Sequence, residues 1–318
     1  MPRFLLHLDE DPKSAIVQAA SVEQRQVSRN VLLGRILVVV LSVIWGLAFV
    51  AIRRAVFELS PVSLTLLRWV IVAAVFLALA PVIGRPKVPF DRHDMPRLLL
   101  LGFASVGGYH LSLNYAETIV SSGLAGLLIS FGPVFAVLLS AAWLKEKVGL
   151  RLGLALVLAV LGAAMLSAAS SDLTYLYVTG PMAVILAAFM YAMFAVASKP
   201  LVLKYGAFPV AIWAAVVGTV MILPLASMRL LVEAIALSWE GWVSVLYLSI
   251  LSTVVANIIL YTLISKRAVS ALSVQLYLIP IVSVVGGILL LGEAVTFFTV
   301  IGGALLLGGV ALATSIKK

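Results

Sequence analysis

Residues 121–144, SSGLAGLLISFGPVFAVLLSAAWL, contain no charged side chain. A helix rises about 1.5 Å per residue, so a run of this length crosses the roughly 30 Å hydrocarbon layer of a bilayer. The run has a second copy. GPVFAVLLSAAWLKEKV at 132–148 aligns with IPIVSVVGGILLLGEAV at 279–295, Pro133 falling on Pro280 and Glu146 on Glu293. At the same offset Gly162 falls on Gly309, His110 on Asn257 and Asn114 on Tyr261.

Working outward, 63% of the 318 residues are hydrophobic and only 11% are charged, against about 25% charged in soluble domains. One soluble core cannot hide that much apolar surface, whereas lipid accepts it. Backbone groups in lipid need partners within their own segment, so runs this long are helices. Spans are expected at 35–57, 62–84, 96–117, 121–144, 149–169, 177–198, 209–231, 240–264, 270–291 and 295–315. Pro61, Pro96, Pro181 and Pro209 sit at or near first turns, where the missing N–H costs little. The expected fold class is all-α, a polytopic membrane protein with about ten transmembrane helices. It divides into a polar tail at 1–34, a first five-helix repeat at 35–170 and a second at 171–318. The tail lacks the apolar core of a secretory signal. It reads either as a cytoplasmic tail or as a surface-lying segment.

The net charge of +9 does not point to nucleic acid, because the basic residues sit in short loops between apolar runs. They set an orientation instead. With the N-terminus inside, the tail, the even-numbered loops and the C-terminus carry almost all Lys and Arg. Arg53, Arg54 and Arg229 stand alone outside, and Arg68 lies within a span. Both termini are therefore expected in the cytoplasm, with the protein in the plasma (inner) membrane. Five helices per half start the second half from the opposite membrane face, which inverts the repeats. Inverted repeats suit alternating access in secondary transporters, and they also occur in channels.

The stretch WGLAFVAIRRAVFELSPVSLTLLRWVIVAAVFL at 45–77 resembles the first two helices of the EamA-like family of the drug/metabolite transporter superfamily. SSGLAGLLISFGPVFAVLLSAAWLKEKV at 121–148, followed by a glycine-dotted helix, resembles that family's fourth and fifth helices, and 268–315 looks like a second copy. The resemblance implies a ten-helix inverted-repeat carrier. It also implies that helices one to four of each half surround a central cavity, with the fifth packed outside. Relatives move amino acids, nucleotide sugars, amines and other metabolites.

Polar side chains inside spans are the candidate functional residues, because hydrocarbon penalises them. His110 and Asn114 lie one helical turn apart on one face, and Asn257 and Tyr261 repeat that spacing. Either the pairs line one cavity from opposite walls, or they join helices by hydrogen bonds. Ser130, Tyr277, Gln275 and Tyr109 are further cavity candidates. Trp45, Tyr191 and Trp213 are aromatic candidates for which packing is the competing reading. Arg68, deep in a span, is expected to pair with Glu117 as part of an outer gate, to snorkel to the interface, or to attract an anionic substrate group. Pro133, Pro280, Glu146 and Glu293 read as structural, each glutamate suiting the positive end of the helix that follows it. Ala155, Ala159 and Ala163, four residues apart, mark a close helix contact within the protein or in a dimer.

The expected function is a secondary transporter of small metabolites, an exporter of amino acids or related neutral or zwitterionic compounds. An intramembrane enzyme or a channel is the alternative. The chain has no GxSxG, no HExxH and no close carboxylate pair within a span, so no enzyme is expected. Zero cysteines remove thiolate metal sites, and no cofactor or metal is expected. The partners are a small-molecule substrate and the lipid bilayer, with the protein a monomer or homodimer. Energy coupling has two readings: His110 carries a proton, or substrate gradients drive exchange.

Overall fold

The computed structural model describes residues 12–83, 85–144, 150–168, 175–265 and 275–315. Its described residues form helices and connecting turns. We label them α1 (Pro12–Ala55), α2 (Pro61–Ile83), α3 (95–116), α4 (122–144), α5 (Leu150–Ala168) and α6 (Tyr175–Tyr205). The rest are α7 (Ala207–Ile222), α8 (Met228–Ala236), α9 (239–265), α10 (Gln275–Leu291) and α11 (Phe297–Thr314). Seven are long and apolar enough to cross a membrane: the Leu32–Ala55 part of α1, and α2, α4, α6, α7, α9 and α11. Gly153–Leu166 within α5 and Tyr277–Leu291 within α10 are shorter apolar helices.

Two expected boundaries change. The first span, expected at 35–57, lies at Leu32–Ala55, but the helix that carries it runs back to Pro12. The helix expected over 209–231 ends at Ile222, and a 3₁₀ turn at Leu223–Leu225 follows. Pro224 supplies no N–H to continue the helical hydrogen bonds there, and the chain leaves the helical conformation at Ala226. The chain then forms α8 as a separate short helix. Its Glu233 side chain turns inward while Met228, Leu231, Val232 and Ile235 stay exposed.

Two helices depart from regular α geometry. In α3, residues Phe103–His110 form a π-helical segment, and in α9, Tyr247–Val255 do the same. Wide turns of this kind leave carbonyls that need other donors, and they concentrate at functional sites. In α9 the Thr253 hydroxyl donates to Leu248 O at 2.8 Å, and Trp45 Nε1 of α1 donates to Ser252 O at 3.1 Å. In α4 a 3₁₀ turn at Ile129–Phe131 precedes Pro133. Pro280 lies inside α10.

Packing follows the small residues. α1 lies on α10, where a Cβ at Gly46 would meet Ile279 O at 2.9 Å. α4 packs on both α6 and α10, α3 packs on α6 and α7, and α9 packs on α1 and α2. α5 and α11 pair most extensively. Ala155, Ala159 and Ala163 are buried there. A Cβ on Gly162 would strike Gly302 O at 2.6 Å, and one on Gly309 would strike Ala155 O at 2.7 Å. The close helix contact read from the alanine spacing thus lies within the protein, against α11.

Candidate functional site

Arg68 on α2 is buried, with 4% of its surface exposed, so it does not snorkel. Its Nη2 donates to Thr253 Oγ1 at 2.9 Å, and its Nη1 lies 3.4 Å from His110 Nδ1. The guanidinium has only donors, so Nδ1 is the acceptor and the His110 ring is neutral in this arrangement, with its proton on Nε2. His110 closes the π-helical segment of α3, and Thr253 lies in that of α9. The arginine therefore bridges the two irregular turns, one from each half of the chain. Trp69 packs at a tilt, with its ring centroid 5.0 Å from that of His110, and Tyr109 meets the same ring edge-on at 4.6 Å. Tyr109 also reaches Tyr191, at 5.8 Å, although Tyr191 itself is exposed.

One turn beyond His110, Asn114 is fully buried and its Nδ2 donates to Thr65 Oγ1 at 2.8 Å. The Thr65 hydroxyl in turn donates to Pro61 O at 2.7 Å. Glu117 ends the same stripe of α3 and is also fully buried. The expected Arg68–Glu117 ion pair does not form among the described residues. Arg68 is committed to Thr253 and His110, and Arg53 Nη1 binds the backbone carbonyl of Glu117 rather than its carboxylate. Several buried polar atoms have no partner among the described residues: Arg68 Nε, Trp69 Nε1, Asn114 Oδ1, both Glu117 carboxylate oxygens and Gln275 Nε2.

The other candidates separate. Ser130 donates to Gly126 O at 3.2 Å within its own helix. Asn257 is half-buried and donates to Thr253 O at 2.7 Å, next to the arginine cluster. Gln275 is buried and Tyr277 half-buried on α10. Trp45 is tied to α9, and Trp213 packs instead between Phe90 and Tyr205, with ring centroids 5.1 and 5.2 Å away. The side chain of Tyr261, and Glu146 altogether, lie outside the described residues. Glu293 does not serve the helix that follows it. It accepts from Ser122 N at 2.7 Å, Ser122 Oγ at 2.9 Å and Gly123 N at 3.1 Å, capping the first turn of α4. Thr296 caps α11 instead. A carboxylate suits any helix N-terminus within reach, and folding brings that of α4 closer.

Two more carboxylates do the same work at this end of the helices. Glu58, between α1 and α2, accepts from Ser238 N and Oγ, both at 2.7 Å, at the start of α9. The Ser238 N–H holds its carboxyl below the usual range, although partial burial opposes this. Glu233 of α8 accepts from Ser60 N and Oγ, both at 3.0 Å. At the opposite end Asp94 accepts from Lys204 Nζ and from the Tyr205 hydroxyl, both at 2.7 Å. Loops of the first half are thus tied to helices of the second at both ends.

Sequence reading missed Thr65, Trp69 and Thr253 as members of the cluster. Thr253 carries a weak signal, since it lies one turn before Asn257. Nothing in the sequence marks the wide turn that aims it at Arg68.

The EamA-like transporter family model matches residues 32–168 and matches again over 178–315. An uncharacterized transporter of Archaeoglobus fulgidus is 32% identical over 255 residues, covering 80% of this chain and 89% of its own. A probable terminal-alkyne amino-acid exporter of Streptantibioticus cattleyicolor is 32% identical over 259 residues, covering 80% and 84%. A probable amino-acid metabolite efflux pump of Salmonella typhimurium is 26% identical over 276 residues, covering 82% and 87%. A solved protein structure resembles the fold with a TM-score of 0.57 at 22% identity, covering 89% of this chain and 96% of its own.

Proposed function

The chain belongs to the EamA-like transporter family, and from that premise we propose that it is an alternating-access carrier that exports amino acids or related neutral or zwitterionic compounds. The observation that carries this reading is the buried polar cluster shared between the halves, in which Arg68 bridges His110 and Thr253. Intramembrane polar groups are costly and mark substrate paths. A cluster that must come apart when the halves move is a place to hold cargo in the middle of the membrane.

The ten-span inverted repeat belongs to the same proposal. The seven long spans, the two shorter apolar helices and α3 make ten. Exchange of the halves would turn the α1–α10 contact into α6–α4, and α3–α7 into α9–α2. It would turn α3–α6 into α9–α1, and all of these contacts are present. The π-helical segments of α3 and α9 overlap at the repeat offset. The choice of amino acids draws on the names of the Streptantibioticus cattleyicolor and Salmonella typhimurium relatives. A neutral His110 facing Arg68 favours substrate exchange over a proton carried on that imidazole.

Purified protein in liposomes tests the proposal. Uptake of labelled amino acids should saturate, and unlabelled compound on the far side should accelerate it. A steady conductance without such acceleration would replace the carrier by a channel. Exchange of only nucleotide sugars or polyvalent anions would overturn the substrate class.

A further inference from the structure

The unpartnered atoms along α2 and α3 are of two complementary kinds. Arg68 Nε is a buried donor without an acceptor, and Asn114 Oδ1 and the two Glu117 carboxylate oxygens are buried acceptors without donors. His110, Asn114 and Glu117 fall at i, i+4 and i+7, on one face of α3. The Arg68 guanidinium meets only neutral groups, the Thr253 hydroxyl and the His110 ring, and no carboxylate lies within ion-pair distance of it among the described residues. A buried cation left without an anion is strongly unfavourable. The edge of the guanidinium that includes Nε is also the edge that takes a planar carboxylate in two parallel hydrogen bonds.

We propose that Arg68, Asn114 and Glu117 together recognise the α-amino-acid zwitterion: Arg68 takes its carboxylate, and Asn114 Oδ1 with the Glu117 carboxylate takes its ammonium. The inference rests on the carrier reading above and deepens it. An α-amino acid supplies in one small molecule an acceptor for the orphan donor and donors for the orphan acceptors. Nonpolar cargo leaves all four atoms unsatisfied. A simple anion leaves Asn114 and Glu117 so. Trp69, tilted against His110, and Tyr109, edge-on to it, hold that ring against Arg68, so the guanidinium stays aimed while its Nε remains without a partner among the described residues.

The test uses the full chain in detergent and in liposomes, with three probes for each amino acid that exchanges: the acid, its carboxamide and its N-acetyl derivative. Thermal stabilisation by each probe reports binding, and competition with labelled exchange reports transport. The carboxamide removes the negative group and the N-acetyl form the positive one. Each is expected to compete about tenfold to a hundredfold more weakly than the acid, the range that corresponds to losing one charge-assisted hydrogen bond. In Arg68→Gln the acid and carboxamide should become equal while the N-acetyl form stays weak. In Asn114→Leu the gap between the acid and the N-acetyl form should narrow, the Glu117 carboxylate still favouring the ammonium. The wild-type comparison stands even where a variant fails to fold. Equal competition by acid and carboxamide in the wild type overturns the assignment of Arg68, and equal stabilisation by chloride or inorganic phosphate replaces it by a general anion site. Exchange of amino acids with no dependence on either group sinks this inference and leaves the carrier intact, whereas no exchange by any probe sinks both.

Discussion

Glu233 shows how a single carboxylate outside the spans makes stability depend on pH. Burial pushes its carboxyl up, but hydrogen bonds from Ser63, from the Ser60 backbone and hydroxyl and from Arg229 outweigh this and bring it down to about 2. An unfolded glutamate titrates near ~4.3. The group binds fewer protons folded than unfolded, so its contribution is complete above the unfolded value. It is lost as pH falls through the folded one. The melting-temperature difference between wild type and Glu233→Gln should therefore be constant from neutral pH down to about 5 and shrink between pH ~4.3 and ~2. A difference that grew on acidification would contradict the contacts to Ser60. Of the residues in the central cluster, Arg68, His110 and Asn114 were legible because charged and amide groups stand out in an apolar run. Trp69, Thr65 and Thr253 were not, since a tryptophan or threonine in a span is ordinary and its partner lies on another helix.

At the scale of the helix, α5 and α11 meet through residues too small to hold them apart. Gly162 is the repeat counterpart of Gly309, and each faces backbone of the other helix. Replacing Gly162 by Val forces the axes apart and strips contacts from Ala155, Ala159 and Leu306. It should destabilise the protein by about 1–3 kcal/mol, read as a lower melting temperature in detergent. Gly308→Val adds the same volume to open space on the partner helix α11 and should change little. Equal losses in both would refute this contact. The alanine spacing announced a close contact, but not which helix supplies the other side. Helix ends were legible where proline marks a start, as at Pro61. At the other end of α7 the long apolar run hid a break, since hydropathy continues through Pro224 into α8 although the backbone cannot. The wide turns of α3 and α9 left no compositional trace, because they depend on donors such as Trp45 on neighbouring helices.

At the scale of the whole molecule, three carboxylates, Glu58, Glu233 and Glu293, bind across from one half to the other at one end of the bundle. From the loop charges, that end is expected to face outward. Cysteines introduced at Ser227 and Ser315, both exposed, test the orientation without interference, because the chain has no cysteine of its own. An impermeant thiol reagent added outside intact cells should label position 227 and spare 315, and the opposite labelling would invert the assignment. The membrane class, the helical class and the family resemblance belonged to the sequence, because length and apolarity of a segment are properties of consecutive residues and lipid acts on each segment separately. The partner of Arg68, the helix that Glu293 caps and the neighbour of α5 were decided only in three dimensions. Each is a short-range contact between residues far apart in the chain, and hydrogen bonds and close packing act over a few ångströms in space without regard to sequence separation.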